Sequence, residues 1–180
     1  MIKVLFVCLG NICRSPMAEG IMRHLVAERG LNDQIALDSA GTSRYHIGEQ
    51  PHPKTLHVLR EHGIALQHAA RQFIRADAQQ FDLLVAMDMD NWSEMQAVLR
   101  GSEYKTHFLL DFIPDGPRGR SVPDPWYTGD YTGVYVMLDQ ACRGLLDHVV
   151  AEHLRIEQTG TTPHSSHDNP VVEPNPNIRD

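Results

Sequence analysis

Ile2-Lys3-Val4-Leu5-Phe6-Val7-Cys8-Leu9-Gly10-Asn11-Ile12-Cys13-Arg14-Ser15-Pro16-Met17 stands at the start of the chain, and the way it divides decides the fold. Ile2 to Val7 are mostly aliphatic or aromatic and stop at Leu9-Gly10-Asn11, the pattern of a buried strand ending in a turn. Ser15-Pro16 opens a helix, since proline suits a first turn where its missing N–H is no loss. Met17, Ile21, Met22, Leu25 and Val26 then recur at three-to-four spacing until Gly30 ends the run. Residues 2–30 therefore read as strand, tight loop and helix.

The alternation continues along the chain. Ile35 to Asp38 reads as a second strand, about Pro53 to His62 as a helix, Asp82 to Ala86 as a third strand, Asn91 to Leu99 as a helix and Thr106 to Leu110 as a fourth strand. Strands alternating with helices need crossover connections, and these give a parallel sheet covered on both faces, a doubly wound α/β domain. Pro114 to Gly133 is aperiodic and rich in Gly, Pro and charge, which marks a long functional loop. A long helix follows from about Tyr135 to Ile156, with Val136, Leu138, Ala141, Leu145, Val149 and Leu154 as its apolar stripe. The expectation is one domain over residues 1–158. The polar tail 159–180 holds too few apolar residues to offset its ordering entropy and is expected to be disordered.

Composition narrows the function. With 180 residues, 42% of them hydrophobic, the chain can bury one sizeable core. A formal charge of -7 argues against neutralising a nucleic-acid backbone, so any phosphate site must be local. Three cysteines, Cys8, Cys13 and Cys142, form no extracellular framework and suit a reducing cytosol. The apolar stretch after Met1 is too short for a signal-peptide core, and no segment is long and apolar enough to span a bilayer. A cytoplasmic protein without nucleic-acid or membrane partners is expected.

The chemistry lies in the loop between the first strand and the first helix. A helix N-terminus offers unpaired N–H groups and about half a unit of positive charge, and so binds anions. Leu9, Gly10, Asn11, Ile12, Cys13, Arg14 and Ser15 are enough to curl round a phosphate with amides inward, and Gly10 and Asn11 tolerate the left-handed backbone such a curl requires. Arg14 adds a planar fork for two phosphate oxygens. Cys8 sits at the floor of this positive cup, where the amides, Arg14 and the Ser15 hydroxyl favour thiolate over thiol. Singly, Cys8 reads as a small buried strand residue and Arg14 as a solvated charge. Jointly, at this spacing, they read as a nucleophile and its phosphate cradle.

Other candidates are less specific. Asp124 stands before Pro125, which stiffens it, and before Trp126 and Tyr127, which are expected to shield it; the Asp-Pro pair alone reads equally as a solvated turn. Ser39 and His68 taken alone are ordinary polar groups. Asp88 follows the third strand on the carboxyl edge, where open parallel sheets bind ligands. Cys13 is either a packing residue under the loop or a redox partner that forms a disulfide with Cys8. Cys142 reads as core. The histidine pairs His52/His57, His57/His62 and His148/His153 are five apart, about 140° round a helix, so they share no face and imply no metal site.

Val7-Cys8-Leu9-Gly10-Asn11-Ile12-Cys13-Arg14-Ser15-Pro16-Met17-Ala18-Glu19 resembles the signature of the low-molecular-weight protein tyrosine phosphatases. The likeness extends through Ser39-Ala40-Gly41-Thr42, His68-Ala69-Ala70-Arg71, Ala86-Met87-Asp88-Met89-Asp90-Asn91 and Asp124-Pro125-Trp126-Tyr127, roughly residues 2 to 156. It implies a four-stranded parallel sheet of flavodoxin-like order 2-1-3-4 flanked by helices, a phosphocysteine on Cys8, and Asp124 as general acid and then base. It further implies that Asn11, Ser39 and His68 brace the loop, and that Tyr45, Trp126 and Tyr127 wall a deep cleft suited to phosphotyrosine. Related protein-arginine phosphatases carry Thr where this chain has Ile12, an apolar residue that suits an aryl ring. No cofactor or metal is implied; the partners are phosphotyrosine-containing proteins, with inorganic phosphate or other oxyanions as product or inhibitor. An arsenate reductase uses a similar loop but passes a disulfide to further cysteines, and Met87 to Arg100 holds none. A phosphocysteine carrier or an anion-binding module would need the loop and not Asp124.

Overall fold

The computed structural model describes residues 1–100 and 106–154. Its elements run β1 (Ile2–Cys8), α1 (Arg14–Glu28), β2 (Ile35–Gly41), α2 (Pro53–Glu61), α3 (Asp77–Gln80), β3 (Leu83–Ala86), α4 (Met89–Leu99) and β4 (Thr106–Phe108). A 3-10 turn (Leu109–Phe112), α5 (Pro125–Thr128), α6 (Tyr131–Val149) and a π turn (Val150–Leu154) follow. The four strands pair in parallel in the order β2-β1-β3-β4, as the family resemblance implied.

β1 explains why the sheet is covered twice. Its alternate residues Val4, Phe6 and Cys8 face a core shared with Met17, Ile21 and Met22 of α1 and Leu138 and Leu145 of α6. Leu5 and Val7 face a second core with Leu84, Ala86, Met95, Leu99 and Phe73. A strand buried on both sides must be apolar at every position, which is the run seen from Val4 to Val7. Phe6, Met17, Ile21, Met22 and Leu138 are essentially inaccessible, and each such side chain contributes roughly 1.5–3 kcal/mol of burial.

Several boundaries differ from the sequence reading, for local reasons. β2 runs on through Ser39 to Gly41 because these small residues pair with Phe6, Val7 and Cys8. β4 stops at Phe108, where the chain tightens into the 3-10 turn. The expected loop from Pro114 to Gly133 is interrupted by α5, and α6 begins at Tyr131 because the Asp130 side chain caps it by accepting from Gly133 N at 2.7 Å. α3 has only four residues, too few to show a period. The expected end of the last helix at Ile156 and the tail 159–180 lie outside the described residues.

His148 and His153 also depart from expectation. The π turn widens the helix at its end, and their rings come to 6.2 Å, edge to face, although an α-helix would have splayed them.

Gly144 on α6 lies against the 3-10 turn so closely that a Cβ would overlap the Phe112 carbonyl. Gly144→Ala is therefore expected to destabilise the protein by about 1–3 kcal/mol in urea unfolding. Unchanged stability would show that α6 does not pack there as described.

Candidate active site

Cys8 ends β1 at 2% exposure, and the chain then turns through Leu9–Cys13 into α1. Asn11 takes the left-handed conformation at φ 55°, as the turn chemistry required. The Cys8 Sγ accepts from the Asn11 backbone N–H at 3.3 Å and lies 3.0 Å from Ser15 Oγ. The sulfur thus faces the donors of the loop and the N-terminus of α1.

The Asn11 side chain is fully buried and all its polar capacity is used. Its Nδ2 donates to Ser15 Oγ and Ser39 Oγ, both at 2.9 Å. Its Oδ1 accepts from Arg71 N at 2.9 Å and lies 2.9 Å from His68 Nε2. Ser39 Oγ in turn donates to Glu19 Oε2 at 2.7 Å, and His68 Nδ1 stands 3.2 Å from the same oxygen. Asn11, Ser39 and His68 do come together, and buried Glu19 joins them. Burial alone would raise the Glu19 carboxyl, but His68, Ser39 and Arg23 outweigh it and hold the acid below its ordinary range.

Arg14, 3% exposed, projects from the first turn of α1 between two carboxylates. It pairs with Asp88 through Nη1 and with Asp124 Oδ2 through Nη2 at 2.9 Å, and Nη1 also donates to the Val122 carbonyl at 3.2 Å. Burial disfavours the charge, yet Cys8, Asp124 and Asp88 around it win, and its pKa is raised. Both acids have backbone duties as well. Asp88 caps α4 through Asn91 N at 2.7 Å, and Asp124 caps α5 through Trp126 N at 3.0 Å.

These groups open into a cleft of about 240 Å³, with Cys8, Arg14 and Asp124 inside and Ile12, Tyr45, His46, Trp126 and Tyr127 around it. Trp126 is 55% and Tyr127 79% exposed, so their rings stand on the rim, while the Asp124 side chain is itself 21% exposed. Two members escaped the sequence reading. Glu19 lies inside the quoted motif but shows its purpose only through contacts from β2 and His68. His46 has no role in the sequence reading, although it sits beside Tyr45; its ring lies 6.2 Å from that of Trp126 and its Nδ1 2.8 Å from Glu49.

All three cysteines are free thiols. Cys13 packs under the loop, 3.6 Å from the Tyr131 hydroxyl, and burial pushes its thiol up to about 11. Cys142 is core, and burial raises it also. The donor atoms of Glu19, Asp38 and His68 lie within 4.8 Å of one another, but Arg23 and Ser39 engage Glu19 and Arg71 engages Asp38, so these groups satisfy each other without an ion.

The family model described as low molecular weight phosphotyrosine protein phosphatase matches residues 3–156. The low molecular weight protein-tyrosine-phosphatase YfkJ of Bacillus subtilis is 43% identical over 155 residues, covering 84% of this chain and 98% of that one. PtpA of Staphylococcus epidermidis, which carries the same description, is 41% identical over 155 residues, covering 84% and 96%. The crystal structure of YfkJ superposes with a TM-score of 0.82 at 42% identity, over 85% of this chain and 97% of that one. That of the Drosophila arginine phosphatase gives 0.72 at 35%, over 82% and 97%. A family match that runs from residue 3 to residue 156, together with a shared fold, places this chain in the low molecular weight phosphotyrosine protein phosphatase family.

Proposed function

We propose that the chain hydrolyses phosphotyrosine in proteins through a phosphocysteine formed on Cys8. The observation that carries this reading is the meeting of Cys8, Arg14 and Asp124 in one cleft. The phosphate enters the loop of residues 9–15 and takes its amide donors and the Arg14 fork. Arg14 Nη2 then serves phosphate oxygens, which loosens its hold on Asp124. The Cys8 thiolate attacks phosphorus opposite the tyrosine oxygen. As that P–O bond breaks, protonated Asp124 gives its proton to the leaving oxygen, which would otherwise depart as a phenolate. In the second half, Asp124, now a carboxylate, takes a proton from the water that attacks the phosphocysteine; the P–S bond breaks, phosphate leaves and the thiolate returns.

The cleft supports an aryl substrate. Ile12 with Tyr45, Trp126 and Tyr127 presents apolar and aromatic surface to a ring. A phosphoarginine head would bring N–H donors, for which Ile12 has no acceptor. The network of Asn11, Ser39, His68 and Glu19 acts by position, keeping the loop curled. Asp88 orients Arg14. Every group named lies within residues 1–158, to which we assign the activity, and the tail 159–180 takes no part in the chemistry. We place the protein in the cytoplasm, where a reducing environment preserves Cys8 and Cys13 as thiols.

Cys8→Ser is expected to bring turnover of para-nitrophenyl phosphate to background. Asp124→Ala should lower kcat by about 10²- to 10⁴-fold on phosphotyrosine and by less on para-nitrophenyl phosphate, whose leaving group needs less protonation. Equal losses on the two substrates would remove Asp124 from the acid's role. Iodoacetamide at pH 7 should modify Cys8, whose sulfur meets the Asn11 N–H and Ser15 Oγ, with protection by vanadate, and spare Cys13 and Cys142, whose thiols burial pushes up; a peptide map showing Cys13 labelled first would contradict this. Because the folded state holds Glu19 below its unfolded value of about 4.3, its contribution to stability is present above that pH and is lost as pH falls through the lower folded value. The stability gap between wild type and Glu19→Gln should therefore be large at pH 7 and shrink in acid, as read by urea unfolding at several pH values.

A further inference from the structure

Trp126 lines the catalytic cleft, yet it is more than half exposed and its backbone belongs to α5, a helix of only four residues. So short a helix is a weak support for an exposed ring. Among the described residues the indole meets two other rings, His46 at 6.2 Å and His52 at 5.7 Å, the second nearly perpendicular at 82°. His46 pairs with Glu49, itself exposed. His52 is anchored far more firmly.

Its backbone is set by its neighbours in sequence. A proline turns the residue before it away from helical geometry, and His52, between Pro51 and Pro53, is extended at φ -52° and ψ 138°. Its backbone N–H donates to the Ile12 carbonyl, in the loop after Cys8, at 2.8 Å. Its Nδ1 caps α2 by accepting from Lys54 N at 3.2 Å, which leaves the ring proton on Nε2. Burial, and then the Lys54 charge, lower its pKa, so the ring is neutral at pH 7. The ring stacks on Tyr131, 5.2 Å away at 18°, and Tyr131 is buried at the start of α6. Asp or Asn would cap α2 at least as well. What histidine adds is a ring that meets two aromatics at once, one stacked and one at right angles.

We propose that His52 is a positioning residue that fixes the Trp126 ring as a wall for the aryl group of the substrate. The inference rests on the phosphotyrosine reading of the cleft and deepens it. Asp124, two residues before Trp126, is held independently, by Arg14 and by its bond to the Trp126 backbone N–H. Removing the His52 ring therefore frees the wall and leaves the acid in place. Aryl binding then weakens in ground state and transition state alike, so KM rises and kcat does not change. Inorganic phosphate, which has no ring, binds as before.

Two substitutions separate the ring from the cap: His52→Asn keeps a capping acceptor and removes the ring, and His52→Phe keeps a ring and removes the acceptor. His52→Asn should raise KM for a phosphotyrosine peptide and for para-nitrophenyl phosphate about three- to ten-fold, the effect of one aromatic pair. Its kcat, its inhibition constant for inorganic phosphate and its stability in urea should stay at wild-type values. His52→Phe should keep the wild-type KM while losing stability with the cap. The chain has two tryptophans, so in a Trp92→Phe background the fluorescence is that of Trp126. Time-resolved anisotropy should there show fast local motion of the indole on adding His52→Asn, and none on adding His52→Phe. An unchanged KM in His52→Asn, a parallel rise in its phosphate constant, a KM rise shared by His52→Phe, or an indole that stays rigid without the His52 ring would overturn the proposal. Failure of wild type to hydrolyse either aryl substrate would instead overturn the phosphatase reading, and the anisotropy would still decide this one.

Discussion

Asn11 is the residue on which the rest of the site depends. The loop proposed to wrap an anion must turn its amides inward for that task, so its backbone cannot satisfy itself and something else must hold its shape. Asn11 does so from a left-handed backbone, joining the loop to α1 through Ser15, to β2 through Ser39 and to the segment of His68 and Arg71. Leaving one such buried group unpaired costs about 1–3 kcal/mol, so the four contacts hold the curl as a unit. Gly41 closes the arrangement from behind, since a Cβ there would stand 2.7 Å from the Leu9 carbonyl.

Charge at the site is organised around the same loop. One buried guanidinium is shared by two carboxylates, each also tied to a helix start, so Arg14, α4 and α5 are fixed with respect to one another. Removing a single partner from such a group would leave the others uncompensated in a medium that solvates them poorly. This explains how a cleft with exposed rim aromatics can nonetheless hold its polar groups in register.

What was legible in the sequence follows from how local each cause is. β1, the loop and the start of α1 were readable nearly to the residue, because burial on both faces imposes an unbroken apolar run and Gly10-Asn11 announces the turn. The end of β2 was not, because Ser39, Ala40 and Gly41 become strand through pairing with β1 and not through propensity. The onset of α6 was hidden by Gly133, a poor helix former placed where the Asp130 cap needs it. Cys8 and Arg14 stood out because they are six residues apart in a recognisable loop. Ser39, His68 and Asp124 gained roles only through family likeness, while Glu19 and His46 took theirs from contacts that the folded chain creates.

The distance along the chain between Arg14 and Asp124 has a consequence for synthesis. Cys8, the loop and Arg14 leave the ribosome well before Asp124, which lies 110 positions after Arg14. Contacts of such long separation form late, so a nascent polypeptide that has not reached Asp124 carries the Cys8 loop without the carboxylate that pairs with Arg14. The cleft described above is assembled only once that distant segment has been made, and shorter products lack it by construction.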